Sequence, residues 1–205
     1  MKILVAAAMT SELKSIKEWI KSANIKSNMN IDYLCTWIWN YETIFSLDNY
    51  LSKSEEKVFV WNIWLCWYWN NLNEKKHDVI QVSTIINIYN KKELIVPPYL
   101  QITNMKSCVS SEEIIFNKPD QLKNITNDEL YFDMESRWIW FVCSKYKIPY
   151  MILKLPFDFI GDETISLFNN WSLNKELINN SCKSLKDLPY NEYLNKILNR
   201  IKQQE

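Results

Sequence analysis

Glycine is almost missing from this chain. Its 205 residues contain one, Gly161, where ordinary usage near 7% would supply about 14. Such a chain has few places where its backbone can turn through positive φ or lie flush against a ligand. Arginine is nearly absent as well: Arg137 and Arg200 are the only two. That removes most of the forked donors with which proteins grip phosphate. The single histidine, His77, has no companions at metal-ligand or catalytic-triad spacing, so no metal and no cofactor are expected. The five cysteines, at 35, 66, 108, 143 and 182, are odd in number and form no C-x-x-C pair. They read as reduced core thiols of a cytoplasmic protein. The formal net charge is zero, from 24 basic and 24 acidic residues, so no bulk field favours nucleic acid or an anionic membrane. No segment approaches the roughly 20 apolar residues of a membrane helix. The apolar start, Met1 to Met9, leads straight into the charged stretch from Thr10 to Lys17; a first buried strand is expected there rather than a leader.

What is present in excess is tryptophan, ten in all. Glycine and tryptophan together come close to an ordinary glycine count. The tryptophans gather in Thr36-Trp37-Ile38-Trp39-Asn40 and in the run from Trp61 to Asn70, each after a strand-like segment. A turn there needs positive φ or close backbone approach, which an indole does not supply. We therefore expect most of these tryptophans to stand for glycines, through a codon that the source organism reads as glycine. Many Lys, Asn and Ile beside scarce arginine suit an AT-rich genome. The rival is an aromatic surface on which bases or sugars stack.

The length suits one domain, residues 1–205, with a sizeable core. Strands are expected over Lys2–Ala8, Ile31–Thr36, Lys57–Ile63, Asp78–Ile88, Glu93–Val96, Lys106–Ser110, Leu130–Phe132 and Tyr150–Leu155. The third is expected to end in a turn at Trp64–Trp67. Helices are expected after Thr10, through Ile44 and Leu51, after Glu135, and over the C-terminal stripe of Leu194, Ile197, Leu198 and Ile201. Alternating strands and helices predict an α/β fold, a three-layer sandwich around a mostly parallel, mixed central sheet. Met9 and Glu12, the 37–39 turn, the 64–67 turn and Asp158 each follow the carboxyl end of a strand. Parallel strands would bring them to one rim, where ligands of α/β folds bind.

These residues resemble the nucleoside phosphorylase and nucleosidase superfamily, and most of all the 5′-methylthioadenosine/S-adenosylhomocysteine nucleosidases. Ala8-Met9-x-x-Glu12 is similar to the family's N-terminal motif with its catalytic glutamate. Thr36-Trp37-Ile38-Trp39 resembles its Gly-Ile-Gly turn, and Asn62-Ile63-Trp64-Leu65-Cys66-Trp67 its Asn-x-Gly-x-Ala-Gly segment. Val109-Ser110-Ser111-Glu112 resembles its Val-Ser-Gly-Asp stretch. Asp133-Met134-Glu135 looks like its acidic-Met-Glu signature, and Phe157-Asp158 stands for its Ser-Asp pair. The motifs run in family order across most of the chain. Three departures stand out: Phe157 replaces the serine beside the aspartate, Lys154 stands where close relatives have arginine, and Ile114 or Ile115 falls where a phenylalanine stacks on the adenine, with Phe116 nearby.

The resemblance implies a purine nucleoside phosphorylase-like fold and hydrolysis of an N-glycosidic bond through an oxocarbenium-like ribose. Glu12 would be the general base on water, and Asp158 would protonate purine N7. Glu135 would accept hydrogen bonds from the ribose hydroxyls. Met134 would pack on the sugar and Ile38 would line the pocket for the 5′ tail. Met9, Leu65, Cys66, Asp133 and Lys154 would complete the substrate's surroundings. The implied partners are a small-molecule nucleoside and a second copy of the chain, as a homodimer in the cytoplasm. The alternatives are a phosphorylase or related nucleosidase of the superfamily, and a binding protein without turnover. A phosphorylase would need arginines for phosphate and the Gly-x-Pro-x-Arg motif that this chain lacks; a mere sensor would not need both Glu12 and Asp158.

Overall fold

The computed structural model describes residues 1–22, 30–36, 40–70, 78–97, 99–112, 129–159, 185 and 188–203. The strand β1, Lys2–Ala7, is apolar after its first residue and almost wholly buried, as a strand covered on both faces should be. It pairs in parallel with β2, Ile31–Cys35, on one side and with β3, Val58–Asn70, on the other. Beyond its pairing with β1, β3 continues between two other strands. One is β8, Tyr150–Phe159, parallel to it; the other is β7, Glu129–Asp133, antiparallel. From β7 the sheet passes in parallel to β6, Asn104–Ser110, and then to β4, Ile80–Asn87. The short β5, Glu93–Ile95, folds back on β4, and β4 also pairs antiparallel with β8.

The expectation of a mixed, mostly parallel sheet agrees with these pairings. The three-layer sandwich does not describe them, because β3, β7, β6, β4 and β8 pair in a closed ring. Closure leaves those strands few free edges. A second difference concerns β3 itself. The expected turn at Trp64–Trp67 is strand instead, running unbroken to Asn70. Here β8 pairs along all of 64–67, and from Trp67 onward β7 joins on the other flank, taking up backbone groups that a turn would have had to satisfy otherwise. Among the described residues only Lys91 and Lys147 have positive φ, so positions 64 and 67 do not require it. What replaces the turn is a shift of register between Cys66 and Trp67. The strand β8 likewise outruns its expected end at Leu155 and carries Pro156 within it.

Among the described residues four helices pack on the sheet: α1, Thr10–Ser22; α2, Asn40–Ser52; α3, Ser136–Tyr146; and α4, Tyr190–Lys202. Leu194, Ile197, Leu198 and Ile201 of α4 are buried, as their helical spacing predicts. They join Ile16 and Ile20 of α1 in one core cluster, whereas Leu47 and Leu51 of α2 share another with Ile139 and Val142 of α3. No described helix is long and apolar enough to cross a membrane.

Candidate functional site

Two strand–helix joints carry the acids. At the first, β1 ends at Ala7 and α1 begins at Thr10, so Glu12 falls in the helix's first turn. Carboxylates are favoured there by the helix dipole and usually sit in water. Glu12 does not: it is fully buried. Its Oε2 accepts the Met9 N–H at 3.1 Å, and its Oε1 has no hydrogen-bond partner. Burial pushes the Glu12 carboxyl up to about 8, against the lowering pull of the Met9 N–H and of Lys154.

At the second joint, β7 ends at Asp133 and α3 begins at Ser136. Asp133 Oδ2 accepts the Ser136 N–H at 3.0 Å and the Ser136 hydroxyl as well. Asp133 thereby supplies the side-chain cap of α3, while Glu135, nominally the cap residue, makes no such bond. Glu135 is buried, and its Oε2 accepts the Met134 N–H at 3.3 Å. Its carboxyl is held well above the ordinary range, first by burial, then by Asp133, with Glu12 adding to the effect; Lys154 and the Met134 N–H oppose them.

Lys154 lies between the two joints. It sits on β8 opposite Trp64 of β3, is completely buried, and brings its ammonium to 2.5 Å from Asp133 Oδ2. The contact is an ion pair without the alignment of a hydrogen bond. Burial works against the ammonium, but Asp133 and Glu135 outweigh it and its pKa lies above the usual value. Three buried carboxyls thus share the neighbourhood of one buried ammonium. Isolated buried charges are too expensive to keep; Asp133 pairs with Lys154, and burial favours the protonated form of Glu12 and of Glu135.

The other expected residues are distributed as follows. Met134 is buried between Asp133 and Glu135, and Met9 is partly buried against the α1 core. Leu65 and Cys66 are adjacent on β3 and therefore point to opposite faces. Leu65 joins the core cluster under α1 and α4, and Cys66 the one containing Cys108 and Tyr131; the structure does not bring them together. The backbone of Asp158 lies opposite Trp67, whose other neighbour is Phe132, one residue before Asp133. The side chains of Phe157 and Asp158, and the whole of Ile38, Ile114, Ile115 and Phe116, lie outside the described residues. Asn62 opens the 62–67 motif, which gave it no role of its own. It is fully buried on β3, donates from Nδ2 to the Ala6 carbonyl at 3.1 Å and leaves Oδ1 without a partner. A lone amide in an apolar strand was the available signal. Among the described residues, no group of His, Cys, Asp or Glu has the arrangement to hold a metal ion.

No family model and no curated protein matches the sequence. Solved structures do match the fold. One is a Borrelia burgdorferi B31 protein described as a candidate 5′-methylthioadenosine/S-adenosylhomocysteine nucleosidase and bound to adenine. It aligns with a TM-score of 0.65 at 16% identity, over 89% of this chain and 98% of its own. A Chlamydia trachomatis nucleosidase of this type, also bound to adenine, aligns at 0.63 and 16% identity over 96% and 99%. A Helicobacter pylori variant with 5′-methylthioadenosine in its active site aligns at 0.63 and 12% identity over 90% and 96%. The chain is similar to these proteins in fold over most of its length.

Proposed function

Starting from this fold, we propose that the protein is a purine nucleoside N-glycosidase, hydrolysing the ribose–adenine bond of nucleosides like 5′-methylthioadenosine and S-adenosylhomocysteine. The observation that carries this reading is Glu12, an acid buried at a helix start with one oxygen unpartnered and its proton affinity raised to about 8. A group so placed is suited to accept a proton from water near neutral pH.

In the proposed reaction Glu12 takes a proton from a water molecule whose oxygen bonds to the anomeric carbon. The carbon–nitrogen bond breaks and its electron pair leaves with the purine, which receives a proton at N7 from Asp158. Glu135 accepts hydrogen bonds from the ribose hydroxyls and supports the positive charge that develops on the sugar. Lys154 and Asp133 fix the joint that carries Glu135, and Met134 packs on the ribose. Met9 and Cys66 complete the walls, with Ile38 and Leu65 assigned to the same surroundings by motif alone.

Water, rather than phosphate, is the preferred nucleophile. Arg137 is engaged with Glu112 at 3.7 Å and lies over the Trp138 ring at 4.7 Å, and Arg200 is exposed on the last turns of α4. Neither belongs to the described carboxylate cluster. A homodimer is proposed as the working unit; Tyr41 and Phe45 of α2, one helical turn apart and exposed, would suit such a contact, and light scattering measures it. The deciding experiment takes protein isolated from its own cells and follows release of free base from 5′-methylthioadenosine, S-adenosylhomocysteine, adenosine and inosine. Release without phosphate supports the proposal. Phosphate-dependent release makes the protein a phosphorylase, and binding without release makes it a sensor.

A further inference from the structure

Two indoles stand beside the acids. Trp64 is paired with Lys154 across β3 and β8, is buried, and has its ring centre 5.5 Å from the ammonium. It packs in the same core cluster as Ala7, Ala8, Met9 and Leu13, the residues around the start of α1. Trp67 is flanked by Phe132 and Asp158, so it stands between the strand that leads to Glu135 and the one that carries the proposed acid. Between positions 64 and 67 the register of β3 against β8 shifts. Strand interiors commonly carry glycine at such a shift, or where a ligand comes close to the backbone.

The charged groups around these rings are buried. Glu12, Asp133, Glu135 and Lys154 are each no more than 2% exposed, whereas a small-molecule site needs a cleft of about 300 Å³ or more. The Trp64 ring lies against the Lys154 ammonium of this group. A third indole of β3, Trp61, is fully buried with its N–H unpartnered, a feature that folded proteins rarely tolerate. The composition points the same way, with one glycine beside ten tryptophans.

We propose that positions 64 and 67 carry glycine in the functional protein, and that the space filled here by the Trp64 indole is the space the ligand's ribose and base occupy. The positive-φ turn has no part in this: the strand runs through both positions, and what glycine contributes is room beside Lys154. The ligand's identity rests on the nucleosidase reading, but the residue at each position does not.

Two measurements test it. Mass spectrometry of the peptides spanning Val58–Asn70, from protein isolated from its own cells, is expected to read glycine at 64 and 67; tryptophan at either position overturns that assignment. Calorimetric titration of adenine then compares the chain as written with Trp64→Gly/Trp67→Gly and with Trp64→Ala, each checked for cooperative melting. The glycine variant is expected to bind at one saturable site, with the unsubstituted chain weaker by roughly tenfold or more. Trp64→Ala should fall between them, and it carries the comparison if the double variant does not melt cooperatively. Equal or tighter binding by the tryptophan chain, or no adenine binding by any of them, overturns the assignment of the space. Glycine peptides from a protein that releases no base would sink the nucleosidase proposal and leave this one standing; tryptophan peptides from an active protein would do the reverse.

Discussion

Glu12 shows how a single acid can link stability to chemistry. Its carboxyl titrates near 8 in the fold against an ordinary value of 4.5, so the folded protein holds this proton more tightly than the unfolded chain does. The resulting stabilisation is complete below pH 4.5 and is lost as pH rises through about 8. At about 1.4 kcal/mol per unit the loss is at most about 5 kcal/mol. Glu12→Gln, which keeps the shape and cannot ionise, should flatten this decline in urea-unfolding curves taken from pH 4.5 to 9, and should abolish base release. A base works only when deprotonated, so kcat/KM of the unsubstituted protein should climb with pH towards about 8. A profile that falls across that range would remove Glu12 from the role of base. Lys154 answers to a different balance. Lys154→Met leaves Asp133 buried without its cation, for which breaking a buried pair typically costs about 3–5 kcal/mol. Lys154→Arg keeps the charge and should recover most of that stability, as read from the same unfolding curves.

At the scale of elements, the two strand–helix joints were legible because each uses local signals. Thr10 and Glu12 mark the start of α1, and the change of period after Asp133 marks α3. Which acid would do which work at the second joint was less visible. The resemblance implied ribose contacts for Glu135 and a place in the surroundings for Asp133, without a reason for the division. In the structure Asp133 is committed to Ser136 and Lys154, whereas the Glu135 carboxyl, among the described residues, accepts the Met134 N–H next to it. The difference comes from Lys154 on β8, far away in sequence. Ser136→Ala should remove one side-chain bond to Asp133 and cost about 1 kcal/mol in unfolding free energy, with the KM for nucleoside unchanged. A raised KM would mean that Asp133 positions the ligand rather than the helix. The misplaced turn at Trp64–Trp67 has the same origin. Periodicity in one apolar stretch does not reveal partners such as Leu130 and Leu155, and it is those neighbours that keep β3 extended.

The closed ring of β3, β7, β6, β4 and β8 is a property of the whole molecule, set by pairings between distant segments. It holds β8 and β7 on either side of β3, and so brings Lys154 to Asp133. Glu12 reaches the same place from outside the ring, on α1, and α1 is backed by α4. The helix α4 therefore bears on the site through α1. Ile197 is fully buried on α4 within the core cluster that contains Ile16 and Ile20 of α1. Ile197→Ala opens a cavity behind α1, and truncations of this kind cost about 2–5 kcal/mol. Thermal melting of the variant should show that loss. The same cavity gives α1 freedom to shift, and a catalytic group displaced by about 1 Å can lose two orders of magnitude in rate. In the variant kcat should therefore fall while KM stays close to that of the parent, because Glu135 and Lys154 are held by the ring and not by α4. If KM rises with kcat unchanged, α4 supports the ligand's surroundings instead of the base. If both are unchanged at full folding, the position of Glu12 is fixed by its bond to Met9 alone.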